Sequence, residues 1–148
     1  MGHTSAGIMF PVTYPYPRVA HPEAHVTLFY FGEVEELAFA PLDILALTTG
    51  LNFDAYEHGL NIPIIGTDQF GPDHDISVLL VDDGRLRIEH AALTLRLADY
   101  GIFSGSEFTE YRPHVTDPFT DNPPDYVTLH SPQLWWRDTR LRLQLPQD

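Results

Sequence analysis

Two copies of one tripeptide, His25-Val26-Thr27 and His114-Val115-Thr116, each combine an imidazole and a hydroxyl two residues apart. In an extended strand this spacing directs both side chains to the same face of a sheet. Two such strands facing each other would provide two acid/base groups and two hydroxyl donors. An imidazole titrates near neutral pH, so one can accept a proton while the other donates one. Together these groups would be sufficient to break a phosphodiester without a metal ion.

The context of both copies predicts β-strands. The residues that follow His25 are Val26-Thr27-Leu28-Phe29-Tyr30-Phe31, which are mostly β-branched or aromatic, and the run stops at Gly32. The second copy follows Tyr111-Arg112-Pro113. Pro113 favours an extended backbone at Arg112, the residue before it. A third match, His3-Thr4-Ser5, is interpreted as an accident near a frayed terminus, because so short a motif recurs by chance.

Three neighbours of the motifs are further candidates for substrate binding. Arg112 shares a face with the His and Thr of the second motif, so it could contact a phosphate, or form a surface salt bridge with one of the many acids. Phe29 shares a face with the first motif and could support a stacked base, or belong to the core. Tyr111 borders the second motif and could stack on a nucleobase.

Length and composition indicate one globular domain over residues 1–148. The chain is 43% hydrophobic and long enough to bury a substantial core. No apolar run reaches the length of a membrane span, and the N-terminus lacks the features of a secretion signal. With no cysteine, disulfides and thiolate chemistry are excluded. We therefore expect a cytoplasmic protein that does not associate with a membrane.

The charge restricts the partners. Twenty-one acidic residues oppose eight basic ones, giving a net charge of −13 at pH 7, and the chain contains no lysine. A surface this acidic repels the backbone of a long nucleic acid, although solubility is an alternative reason for the acidity. A few arginines in a cleft can still attract a small anion. We expect a small nucleotide substrate and no duplex nucleic acid, and the sequence leaves the oligomeric state open.

The order of strand and helix signals along the chain predicts an α+β domain of two lobes related by approximate symmetry. Each lobe has strands, one helix and one motif. Leu86, His90, Leu93, Leu97 and Tyr100 form the apolar stripe of the clearer helix, which Gly101 ends. Besides the two motif strands, the elements predicted are strands at 6–13, within 53–65, and at 76–81, 126–136 and 139–145, and helices at 41–49 and 86–100.

The motifs and the order of elements resemble the 2H phosphoesterase superfamily, which includes the bacterial LigT-like 2',3'-cyclic phosphodiesterases. That family carries two His-x-Thr/Ser-hydrophobic motifs, and His25-Val26-Thr27-Leu28 and Pro113-His114-Val115-Thr116 match them. One position departs from the pattern: Asp117 stands where a hydrophobic residue is usual, and Pro118 follows it. The second motif strand is therefore expected to end early.

The resemblance implies a bilobal 2H phosphoesterase-like fold, with two antiparallel-sheet lobes, helices outside and a central cleft. It implies metal-independent hydrolysis of a small cyclic nucleotide or a nucleotide-end phosphodiester, such as a 2',3'-cyclic phosphate or a cyclic oligonucleotide signal. His25 and His114 would act as general acid and base, in an order left open. Thr27 and Thr116 would donate hydrogen bonds to the phosphate, and no cofactor would be required.

Other functions remain as alternatives. A catalytically weak module of the same fold could bind and sequester a nucleotide, and a structural domain could carry the motifs by accident. His21 and His25 have the spacing of a zinc helix, but Pro22 argues against a helix there. Asp73-His74-Asp75 could hold a cation, yet it lies beside Gly71-Pro72 in a predicted loop. We therefore expect no metal.

Overall fold

The computed structural model describes residues 5–16, 23–105, 110–117, 122–136 and 141–145. Within these ranges it contains eight strands and two α-helices, which confirms the α+β class. The strands are β1 (Ser5–Thr13), β2 (His25–Glu33), β3 (Leu60–Phe70), β4 (Ile76–Val81), β5 (His114–Thr116), β6 (Tyr126–Leu129), β7 (Gln133–Trp136) and β8 (Leu141–Gln144), and the helices are α1 (Pro41–Leu47) and α2 (Gly84–Ala98).

Two strand predictions differ from the structure. The strand expected within 53–65 begins only at Leu60, because the Asn52 side chain accepts a hydrogen bond from the Asp54 backbone N–H and starts a 3-10 turn. It also continues to Phe70, beyond the predicted end. The segment 126–136 divides into β6 and β7, since Pro132 between them has no N–H for a sheet ladder. Residues 139–140 of the predicted last strand, like His3 and Thr4, lie outside the described residues.

The predicted stripe of α2 is correct along most of its length. Leu86, Leu93 and Leu97 are fully buried, and His90 is half-buried. Tyr100 is 60% exposed, so the prediction that it belongs to the buried stripe was wrong. The helix ends at Ala98, and the helical period does not extend beyond that point.

The eight strands form one antiparallel sheet in the order β2-β5-β4-β3-β6-β1-β7-β8. An additional pairing joins β2 to β1, while the other edge of β1 pairs with β6 and with β7. Six strands (β1, β2, β5, β4, β3 and β6) are therefore hydrogen-bonded in a ring, and β7 and β8 extend the sheet from β1.

The main core lies between the helices and the outer face of this ring. Phe10, Val26 and Val115 are fully buried there, and α2 packs on β2. A ring of six strands is too narrow to enclose a helix about 10 Å wide, so the helices cover its outside. The opposite face of β2 and β5 carries the His and Thr side chains of the motifs, and we call it the inner face.

In the described ranges no helix is both long enough and apolar enough to cross a membrane.

Candidate active site

The two motifs are direct neighbours in the sheet. Strands β2 and β5 pair antiparallel with Val26 opposite Val115. This register places His25 beside Thr116 and Thr27 beside His114, with opposed Cα atoms about 4.5–5.5 Å apart. Both valines point to the outer core, so all four functional side chains share the inner face. The motif strands were expected to face each other across a cleft; they pair side by side instead.

An approximate two-fold axis passes through the valine pair. It relates β2 to β5, and β1, which pairs with β2, to β4, which pairs with β5. The strand registers agree with this two-fold relation, because Met9 lies opposite Thr27 and Val78 lies opposite Thr116. Each motif is therefore supported by a strand in the same relative position.

The same axis relates two aromatic residues. Two positions before Met9, Gly7 pairs with Trp135 of β7. Two positions before Val78, Ile76 pairs with Phe70 of β3. Trp135 and Phe70 thus occupy equivalent places beside the two motifs.

Both imidazoles are held in the same way. Nδ1 of His25 lies 2.8 Å from the Glu23 carbonyl oxygen, and Nδ1 of His114 lies 2.8 Å from the Arg112 carbonyl oxygen. A carbonyl oxygen can only accept, so Nδ1 carries the proton in each ring. Nε2 is therefore the atom on each ring that can exchange a proton with a ligand.

Three residues form a chain of contacts beside His25: Trp135, Arg142 and Glu23. We call them the Trp135 arm. The ring centroids of His25 and Trp135 are 4.8 Å apart. The Arg142 guanidinium carbon lies 4.3 Å from the Trp135 ring centroid. Arg142 also forms an ion pair of 3.0 Å with Glu23, whose carbonyl accepts from His25.

The equivalent set beside His114 is the Phe70 arm, formed by Phe70, Arg112 and Asp68. The Phe70 and His114 ring centroids are 4.6 Å apart, edge to face. The Arg112 guanidinium carbon lies 4.9 Å from the Phe70 centroid, and Arg112 pairs with Asp68 at 3.0 Å. Each imidazole thus contacts an aromatic ring and donates its Nδ1 proton to the carbonyl oxygen of the residue two positions before it.

The threonine hydroxyls are available to a ligand. Thr27 is half-buried and Thr116 is exposed. Within the described part of the chain, neither Oγ1 atom has a hydrogen-bond partner. Nearby inner-face side chains are apolar and buried: Met9 is 5%, Val78 0% and Trp135 4% exposed. Hydrogen bonds made here are stronger than on an open surface, because the surroundings are less polar.

The three further candidates occupy different places. Arg112 lies beside the second motif and forms the surface salt bridge with Asp68 that the sequence offered as an alternative. Tyr111 donates its hydroxyl to the Thr27 carbonyl oxygen at 2.7 Å. Its ring stacks on His90 with centroids 4.2 Å apart. In this structure Tyr111 therefore links the second motif segment to the backbone of the first.

Phe29 does not share the inner face, so the prediction from strand alternation was wrong there. β1 pairs Ile8 with Phe29 but Met9 with Thr27, which leaves Leu28 as an extra residue on β2. Such a bulge reverses the alternation beyond it. Phe29 consequently lies in the core at 1% exposure, packed against Phe31.

Asp117, the departure from the family pattern, is fully buried. Tyr14 donates its hydroxyl to Oδ2 of Asp117 at 2.9 Å, and the Asp117 N–H donates to the Ser77 carbonyl oxygen. β5 ends at Thr116, as expected. The polar residue is accommodated by hydrogen bonds and leaves the second motif in place.

Two histidines near the site should make stability depend on pH. Burial lowers the pKa of His90, as does the Arg87 charge. Burial also lowers the pKa of His114, against the opposing effect of its bond to the Arg112 carbonyl. The unfolded chain, with His pKa values near 6.5, therefore binds more protons than the folded chain just below that pH. The free energy of unfolding should fall as the pH drops below about 6.5.

Replacing His90 with Phe tests this dependence, because Phe can keep the stack on Tyr111 and cannot titrate. We expect urea unfolding to show a smaller loss of stability between pH 7.5 and 5.5 for His90→Phe than for the native chain. Equal losses of unfolding free energy in the two proteins would show that His90 does not contribute to the pH dependence.

Sequence reasoning missed Phe70, Trp135, Asp68 and Arg142. None of them stands near a motif in the sequence, and no spacing signals their role. Only the pairing of β3 with β4 and of β7 with β1 brings the two aromatic residues to the histidines.

Among the described residues, no group of three or more His, Asp or Glu side chains is placed to hold a metal ion. His74 and its two aspartate neighbours lie exposed around the turn that ends at His74, and His21 lies outside the described ranges. No protein-family model matches the chain, and no curated protein matches it either.

Proposed function

We propose that this protein is a metal-independent phosphodiesterase that hydrolyses a small cyclic nucleotide or a nucleotide-end phosphodiester. The observation that carries the proposal is the antiparallel pairing of the two motifs through Val26 and Val115. It gathers two imidazoles with the same Nδ1 anchor and two hydroxyl groups around one patch of the inner face. We expect one phosphate group to bind at this patch.

In the proposed reaction a water oxygen attacks phosphorus while one neutral imidazole takes the water proton at Nε2. The bond from phosphorus to the ribose oxygen breaks, and the other imidazole, in its protonated form, gives its Nε2 proton to that oxygen. The Thr27 and Thr116 hydroxyls donate to the non-bridging oxygens as negative charge develops. The products are a phosphomonoester and a free hydroxyl, and proton exchange with water restores both histidines.

We assign the base to His114 within this proposal. Burial holds the pKa of His114 below its usual range, so the ring is mainly neutral near pH 7 and ready to accept a proton. His25 is then the acid. Its ring packs against Trp135, and Arg142, which also lies against that indole, is paired with Glu23.

The approximate two-fold relation also supports a bilobal 2H phosphoesterase-like fold. Each half would contribute one motif strand, one supporting strand and one aromatic residue. The net charge of −13 favours a small substrate, since a long nucleic acid would be repelled.

A substrate panel with and without chelator tests the proposal. Purified protein is incubated with 2',3'-cyclic mononucleotides and with cyclic di- and trinucleotides, and products are resolved by chromatography. We expect hydrolysis of at least one of these substrates, at the same rate in excess EDTA. Activity that is lost in EDTA and restored by zinc or magnesium would overturn the metal-free mechanism. Tight binding of a nucleotide with no product after long incubation would instead show a sequestering module.

A further inference from the structure

The two arms are equivalent in register but differ in exposure. Trp135 is 4% exposed, whereas Phe70 is half-buried. The Arg142 side chain is 23% exposed, whereas that of Arg112 is 45% exposed. Of two symmetry-related places beside the proposed phosphate position, the one next to His114 is the more accessible to a ligand.

We propose that the Phe70 arm is the subsite that binds the nucleobase, so that the nucleoside lies on the His114 side of the phosphate. This role rests on the proposed function and deepens it. The Trp135 arm, in contrast, is a fixed support that orients His25.

The Phe70 arm has the chemistry for stacking. Its ring already carries a flat cationic group, the Arg112 guanidinium, at 4.9 Å from the ring centroid. A nucleobase is another flat group that stacks on an aromatic face, with little dependence on base identity. Ile76, opposite Phe70 in the sheet, is 45% exposed and extends the apolar surface.

Arg112 can leave the ring readily. Its partner Asp68 is also well exposed, at 43%, and ion pairs between exposed side chains contribute little to stability. Once released, the guanidinium is two residues from His114 on the same segment and can bind an oxygen of the phosphate. Binding of a nucleotide would thus exchange the Asp68 pair for a phosphate contact and open the Phe70 face to the base.

The Trp135 arm lacks this freedom. The indole is 4% exposed and contacts His25 at 4.8 Å and Arg142 at 4.3 Å, and its Nε1 donates to Gln133 at 2.9 Å. A base could reach this indole only by displacing the neighbouring groups that hold it. Trp135 is accordingly a positioning residue for His25.

The test compares Phe70→Leu with a control, Phe103→Leu, which makes the same change at a phenylalanine that is 69% exposed and outside both arms. Two substrates are used: 2',3'-cyclic AMP and the 2',3'-cyclic phosphate of methyl riboside, which has no base. We expect Phe70→Leu to raise KM about tenfold for 2',3'-cyclic AMP and to leave KM for the base-free substrate unchanged. Phe103→Leu should leave both values unchanged.

Equal effects on the two substrates would overturn the proposal, because Phe70 would then act only by supporting His114. No effect on either would overturn it as well. If the native protein cleaves neither these two substrates nor any other member of the panel, the proposed function fails, and calorimetric titration with 2',3'-cyclic AMP still decides the subsite. Weaker binding by Phe70→Leu than by the native chain and Phe103→Leu supports it, whereas equal affinities or no binding by the native chain overturn it.

Discussion

Replacing His25 or His114 with Ala is expected to lower kcat by about 10²- to 10⁴-fold, the range for loss of a general acid or base. Among the described residues, each substitution removes the only Nε2 atom on its side of the proposed phosphate position. Neither should unfold the protein, since both imidazoles are only partly buried and both valines between them remain. Steady-state kinetics on the substrate found in the panel, with thermal unfolding as a check on the fold, measures the effect.

The double variant gives a sharper result. Because the two imidazoles act in one reaction, removing both should lower kcat by little more than the more damaging single substitution, and not by the product of the two. His58→Ala serves as the control, because His58 is exposed and belongs to neither motif. A loss below tenfold in both single variants, with the fold intact, would contradict two-histidine catalysis.

The strands of the site could be predicted because their signals are local. Alternation and β-branched residues locate β2 around His25, and Pro113 indicates the extended segment that leads to His114. The direct pairing of Val26 with Val115 could not be predicted, since nothing in either tripeptide specifies a partner 89 positions away. Pairing between distant strands depends on how the whole sheet closes.

The error at Phe29 has a similar origin. Strict alternation from His25 places Phe29 on the inner face, but the pairing with β1 inserts Leu28 as an extra residue and turns Phe29 into the core. A one-residue shift reverses every later side chain in a strand. The aromatic residues beside the histidines could not be predicted for a different reason. Phe70 and Trp135 become neighbours of the motifs only through strand pairing, and the sequence does not indicate the order of those strands in the sheet.

Replacing Thr27 or Thr116 with Val is the second substitution expected to have a large effect. Valine has nearly the same shape and suits a strand, so the change removes a hydrogen-bond donor with little change in packing. Loss of one donor to the developing charge should lower kcat by about 10²- to 10³-fold. Thr27→Ser and Thr116→Ser, which keep the hydroxyl, should retain most of the activity. Thr67→Val, at an exposed position that pairs with Leu79 on the outer face, should have no effect.

The two threonines should not contribute equally. Thr27 is half-buried beside Met9, while Thr116 is exposed, and a hydrogen bond to developing charge is stronger where water is excluded. Thr27→Val should therefore reduce kcat more than Thr116→Val. Tyr111 adds to this difference, because its hydroxyl fixes the Thr27 carbonyl at 2.7 Å and so orders the backbone that carries the donor. A larger loss at Thr116, or equal losses for Val and Ser at either position, would show that the hydroxyls do not stabilise the phosphate in the transition state.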